Sequence, residues 1–142
     1  MKNGLNIQIK ETVTIAEIQR QFNRAFPYLK LEFFESPHKA KEGSHKSKMI
    51  AHDRLLRTCR SLHNEGELQV IESETVSKLE RDFWEQFGLS VQVFRKSGNL
   101  WIETSLTDSW TLKRQNEEGK EFSSTKVNGT ETIDLTDRDQ WE

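Results

Sequence analysis

A single cysteine, two prolines and one tyrosine occur in 142 residues. Cys59 alone cannot close an internal disulfide, which excludes the stapled folds of small secreted domains. No apolar run approaches the roughly 18 residues that cross a bilayer. No early stretch has the basic, apolar and small-residue order of an export signal. A cytoplasmic protein that does not enter membranes is therefore expected. The seven glycines form no G-x-x-x-x-G-K loop, which removes the commonest phosphate cradle; Gly98 and Gly119 read as turn residues. His38, His45, His52 and His63 have no cysteine pairs beside them. The first three are seven apart across a loop and a helix start, where that spacing has no geometric meaning for a ligand set. Neither a metal nor another cofactor is expected.

Charge is abundant instead. Charged residues make up 31% and hydrophobic ones 33%, enough for one modest core. The formal net charge of -2 hides a segregation along the chain. Residues 38–60 carry Lys39, Lys41, Lys46, Lys48, Arg54, Arg57 and Arg60 against Glu42 and Asp53. From Glu117 to the end, eight acids face Lys120, Lys126 and Arg138. A basic segment and an acidic tail on one chain point to an anionic partner, or to each other.

The chain also repeats itself. Thr14, Ile15, Ile18, Arg20, Phe22 and Phe26 match Thr75, Val76, Leu79, Arg81, Phe83 and Phe87, each pair 61 positions apart. The shared apolar stripe predicts two amphipathic helices of equal length. Thr14 with Glu17 forms a capping box. Thr75 caps the second helix with Lys78 in place of the acid. Pro27 and Gly88 stop the helices at matching places. Alternating residues before and after each helix (Leu5, Ile7, Ile9; Leu29, Leu31, Phe33; Leu68, Val70; Val91, Val93) predict flanking strands. Ser97-Gly98-Asn99 turns the last of these into a hairpin with Leu100–Thr104. Asp108 caps a closing helix, Ser109 to Glu118, ended by Gly119.

The order β-α-β, insert, β-α-β, hairpin strand, helix defines an α+β domain over residues 1–122. The repeat halves cover about 5–35 and 66–96, and the insert 36–65. Residues 123–142 form an acidic tail expected to be disordered. In topology, residues 5–96 resemble the ferredoxin-like fold, which implies a sandwich with both helices on one face of a single split sheet. That fold carries many unrelated activities and names none.

Four groups of residues compete for function. In the insert, a helix over Ile50–Leu62 would turn Leu55, Leu56, Cys59 and Leu62 inward. It would also align Arg54, Arg57 and Arg60 on one side, behind Lys39, Lys41, Lys46 and Lys48 on a polar loop. Such a patch suits nucleic acid or another polyanion. On the sheet face away from the helices, Phe34, Phe94 and Trp101 offer a protein interface or a homodimer contact. An RNA-recognition module would need aromatics on its central strands; Gln8 and Gln69 stand there. Cys59 and His63, four apart on the helix, could form a nucleophile and base, but nothing supplies an oxyanion site. In the tail, Thr132-Ile133-Asp134-Leu135-Thr136-Asp137 looks like the hydrophobic-acidic motif that adds a strand to sumo. The expected function is thus a non-catalytic binding or regulatory module, with a protein–protein adaptor or a Cys59/His63 enzyme as alternatives.

Overall fold

The computed structural model describes residues 4–35 and 49–125. In chain order these are β1 (Gly4–Ile9), α1 (Ile15–Ala25), β2 (Leu29–Phe34), β3 (Gly66–Ile71), α2 (Val76–Phe87), β4 (Ser90–Ser97), β5 (Leu100–Glu103) and α3 (Leu112–Thr125). Short 3-10 turns occupy Leu56–Thr58 and Ser105–Thr107. The α+β composition and both β-α-β units are as the periodicity predicts.

The helices start and stop where their end residues dictate. Thr14 accepts from the Glu17 amide while the Glu17 carboxylate accepts from the Thr14 amide, so two orphan donors are satisfied at once. Thr75 accepts from Lys78 N without the return bond. Gly88 ends α2 at φ 67°, and a Cβ there would meet Leu62 Cβ at 2.8 Å. Gly98, at φ 66°, carries the tight turn between β4 and β5.

The strand pairing departs from the ferredoxin-like expectation. The strands fall into two antiparallel sheets, β1-β3 and β2-β4-β5, not one split sheet. Each conserves the duplication in its register. Ile7 lies opposite Leu68, its repeat counterpart 61 positions on, and Glu32 lies opposite Gln92, its counterpart 60 positions on because the second half is one residue shorter between helix and strand. The halves are therefore interlocked about a local twofold. Ile7, Ile9, Leu68 and Val70 from one sheet and Leu29, Leu31, Phe33, Val91 and Val93 from the other close a single core with Ile15, Ile18, Phe22, Val76, Leu79 and Phe83.

The duplication reaches further than the β-α-β units. No helix forms over Ile50–Leu62. That segment instead clamps the start of α1: Ile15 N donates to Arg54 O at 3.0 Å, Ala16 N to His52 O at 2.8 Å and Leu56 N to Val13 O at 2.9 Å. The chain before α3 clamps α2 in the same way, with Val76 N to Trp110 O at 3.1 Å, Ser77 N to Asp108 O at 2.8 Å and Leu112 N to Glu74 O at 2.9 Å. Leu56 and Leu112, both fully buried, are the matching core plugs. Each helix thus has the orphan donors of its first turn met by a returning segment of its own half.

The closing helix is displaced from its expected limits. Thr111, not Asp108, caps it by accepting from Arg114 N, and it runs through Gly119 to Thr125. Gly119 is a contact residue there, not a stop. A Cβ on it would lie 2.8 Å from Tyr28 Cβ and 3.2 Å from Lys96 O, so only glycine lets α3 approach the ends of β2 and β4 this closely.

Candidate functional site

Helix α1 sits beside the free edge of β2 and seals it with side chains. Gln19 Nε2 donates to Leu31 O at 2.7 Å and to Glu32 Oε1 at 3.2 Å, and Asn23 Nδ2 donates to Leu29 O at 2.8 Å. Ile50 N takes Phe33 O at 2.8 Å. With these three carbonyls occupied, the edge of β2 is a poor template for an added strand.

Along this sealed edge runs an open groove of about 340 Å³. Ala16, Gln19, Arg20 and Asn23 form one wall. Lys30, Leu31 and Glu32 of β2, with His52 and Trp101, form the rest. Trp101 belongs to β5, yet it lies on the same sheet face as Lys30 and Glu32, because Lys30 faces Phe94, Phe94 faces Glu103 and Trp101 faces Lys96. The indole, half-buried, has Lys30 Nζ at 5.0 Å and Lys96 Nζ at 5.7 Å from its ring centroid. Glu32 is the one carboxylate in the lining, and Lys30 at 3.3 Å and Gln19 at 3.2 Å already engage it. Arg20 and His52 are exposed. With Glu32 balanced by Lys30, the exposed Arg20 leaves the groove net positive beside one aromatic ring.

The corresponding place in the second half is closed and acidic. Glu80, the counterpart of Gln19, turns its Oε2 to Val93 N at 3.0 Å and to Gln92 Nε2 at 3.4 Å. The pair Gln19/Glu32 has become Glu80/Gln92, with acid and amide exchanged between helix and strand. Asp108 stands where His52 does in the first half, bonded to the amide that follows the first residue of its helix. Thr104 covers the strand by donating its Oγ1 to Val93 O at 2.9 Å. Burial pushes the Glu80 carboxyl up to about 8, opposed by the Val93 amide and reinforced by Asp108 and Glu103.

The residues singled out from sequence are dispersed by this fold. Lys39, Lys41, Lys46 and Lys48, like His38, His45 and the 126–142 tail with its Thr132–Asp137 motif, lie outside the described residues. The three insert arginines do not share a face. Arg57 is exposed and Arg54 donates to Thr58 Oγ1 at 3.0 Å. Arg60 is buried, donating to Phe87 O at 2.9 Å and to Glu11 Oε1 at 2.8 Å. Cys59 Sγ donates to Leu55 O at 3.2 Å, whereas His63 Nδ1 contacts Glu11 Oε2 at 2.6 Å; each partner that an i, i+4 pair would have supplied is found elsewhere. Of that segment's expected apolar side, Leu56 is buried but Leu62 is exposed.

Phe34, Phe94 and Trp101 do share one sheet face, as strand parity requires. Phe34 and Phe94, however, are only 4% and 2% exposed, so the face presents Trp101 rather than an apolar patch.

Arg20, Lys30 and His52 were not singled out as site residues by sequence reasoning. Their common location depends on β2 being an edge strand, which no local pattern encodes. The recurrence of Arg20 as Arg81 is the one signal that touches them. Among the described residues no group of acidic, histidine and cysteine side chains could hold a metal, and no described helix is long and apolar enough to cross a membrane. No family model, no curated protein and no solved structure matches the chain, so its function rests on its own geometry.

Proposed function

We propose that the protein is a non-catalytic binding module that receives an anionic partner in the groove between α1 and β2. The observation that carries this is a lining whose cations are Arg20 and Lys30 and whose sole carboxylate, Glu32, is already bonded by Lys30 and Gln19, which leaves the groove net positive. Cations so placed attract phosphate or sulfate groups and release counterions on contact. The chain leaves β2 beyond Phe34 and returns at Met49, which bridges back to Phe34. Arg57 is exposed but does not line the groove, and Arg60 belongs to the interior.

The adaptor or homodimer alternative has less support, because Phe34 and Phe94 are covered. A catalytic role for Cys59 and His63 has less still, as each is committed to another group.

Fluorescently labelled heparin, a base-free polyanion, is the direct test. Anisotropy should report binding that weakens by about tenfold or more between 50 and 200 mM salt, as several released counterions require. The Arg20→Glu/Lys30→Glu double variant should lose about tenfold or more at fixed salt. Unchanged affinity in that variant, or no binding at low salt, would remove the proposal.

A further inference from the structure

Resting on the reading of this groove as an anion site, we infer that its ligand is a single strand of nucleic acid, with a base stacked on Trp101. Cations alone accept any polyanion; the indole narrows the choice. Trp101 lines the groove and is half-buried, so its frame is held while part of the ring stays accessible. Lys30 and Lys96 stand within 5.0 and 5.7 Å of the ring centroid. A base that takes the ring face leaves the flexible Lys96 stem to follow a neighbouring phosphate, while Lys30 stays paired with Glu32 at 3.3 Å. Stacking platform and flanking cations are the two components that sequence-tolerant single-strand sites combine.

Two further features agree. The amide nitrogens of Gln19 and Asn23 are turned onto Leu31 O and Leu29 O. Their amide oxygens are the atoms left to accept from a base N–H. An open groove of about 340 Å³ has room for one nucleotide. A duplex, whose bases are already stacked, cannot reach the ring.

The second half supplies an internal control. Arg81 is the exposed counterpart of Arg20, but the site beside it is filled by Glu80 and Gln92. The experiment compares a labelled fifteen-nucleotide dT strand, a labelled hairpin duplex and labelled heparin against the parent protein and the variants Trp101→Ala, Trp101→Phe, Arg20→Glu and Arg81→Glu. Expected are tighter binding of the dT strand than of the duplex, a loss of about tenfold or more in Trp101→Ala, as one stacked base requires, and near-parent binding in Trp101→Phe. Arg20→Glu should weaken binding, whereas Arg81→Glu should leave it unchanged. If the dT strand and heparin bind alike and Trp101→Ala changes neither, base recognition is overturned while the anionic groove stands. If the duplex binds at least as well as the dT strand, single-strand recognition is overturned. If neither the dT strand nor heparin binds, the groove reading itself falls. If Arg81→Glu weakens binding as much as Arg20→Glu, the contact is diffuse and the groove is not its site.

Discussion

Replacing Glu80 with glutamine is expected to flatten the pH dependence of folding stability between about pH 5 and 9. In the parent, burial holds the Glu80 carboxyl up to about 8, with Asp108 and Glu103 adding to the shift against the opposing Val93 amide. An unfolded glutamate titrates near 4.5. Between these values the folded chain keeps a proton that the unfolded chain has lost. The stability this provides is complete below about pH 4.5 and is lost as the pH rises through about 8, at up to about 1.4 kcal/mol per pH unit. Glu74 is also raised, chiefly by burial, so part of the decline persists in the variant. Glu11 is lowered, mainly by its Arg60 hydrogen bond, and acts at more acidic pH. Glutamine suits the place because Gln19 holds the same position in the first half, bonded to its own strand without a charge. Urea midpoints at several pH values give the comparison. A parent protein equally stable at pH 5 and pH 9 would show that Glu80 is ionised throughout.

Arg60→Ala should cost about 2–4 kcal/mol of folding stability. The guanidinium is fully shielded from solvent and joins three parts of the chain. It belongs to the segment before β3, bonds the Phe87 carbonyl at the end of α2 and pairs with Glu11 between β1 and α1. Truncation strands the Phe87 carbonyl and leaves Glu11 with His63 and no buried cation. Lysine cannot replace it fully, because one ammonium does not span both acceptors with the fixed fork of arginine. Equilibrium denaturation of the two variants should rank parent, Arg60→Lys, Arg60→Ala. A loss below about 0.5 kcal/mol for alanine would mean that the pair is as weak as an exposed one.

What could be read from the sequence was local. The two long repeat helices, the Thr14 box, the Gly88 stop and the Gly98 hairpin follow from spacing and end chemistry within a few residues. What could not be read was non-local. Leu55, Leu56, Cys59 and Leu62 have helical spacing, yet the backbone donors of Leu56 and Arg57 go to Val13 and Glu11. A helix needs these donors for its own turns, and here the β1–α1 connection takes them. Arg60 was grouped with Arg54 and Arg57 on that absent helix, and nothing in its neighbours marks it as buried. Trp101 and its sheet face followed from strand parity. The groove did not, since it exists only because β2 pairs with β4 and turns its other edge to α1. The exchange of Gln19/Glu32 for Glu80/Gln92 acquires its meaning only from the structure, where each helix bonds the strand after it.

The interlocked pairing also sets the order in which a growing chain can fold. Within the described part of the first half, no two strands pair with each other: β1 waits for β3 and β2 waits for β4. A ribosome that has released only residues up to the start of β3 has made a helix whose apolar stripe meets two strands that have no pairing partners. Pulse proteolysis of stalled nascent chains should find protection only once β4 has cleared the exit tunnel, and a resistant species from a shorter chain would contradict this. Closing contacts about 60 residues apart makes that step slow, so each unfinished copy carries an unpaired apolar strand that a neighbouring copy on the same message could capture.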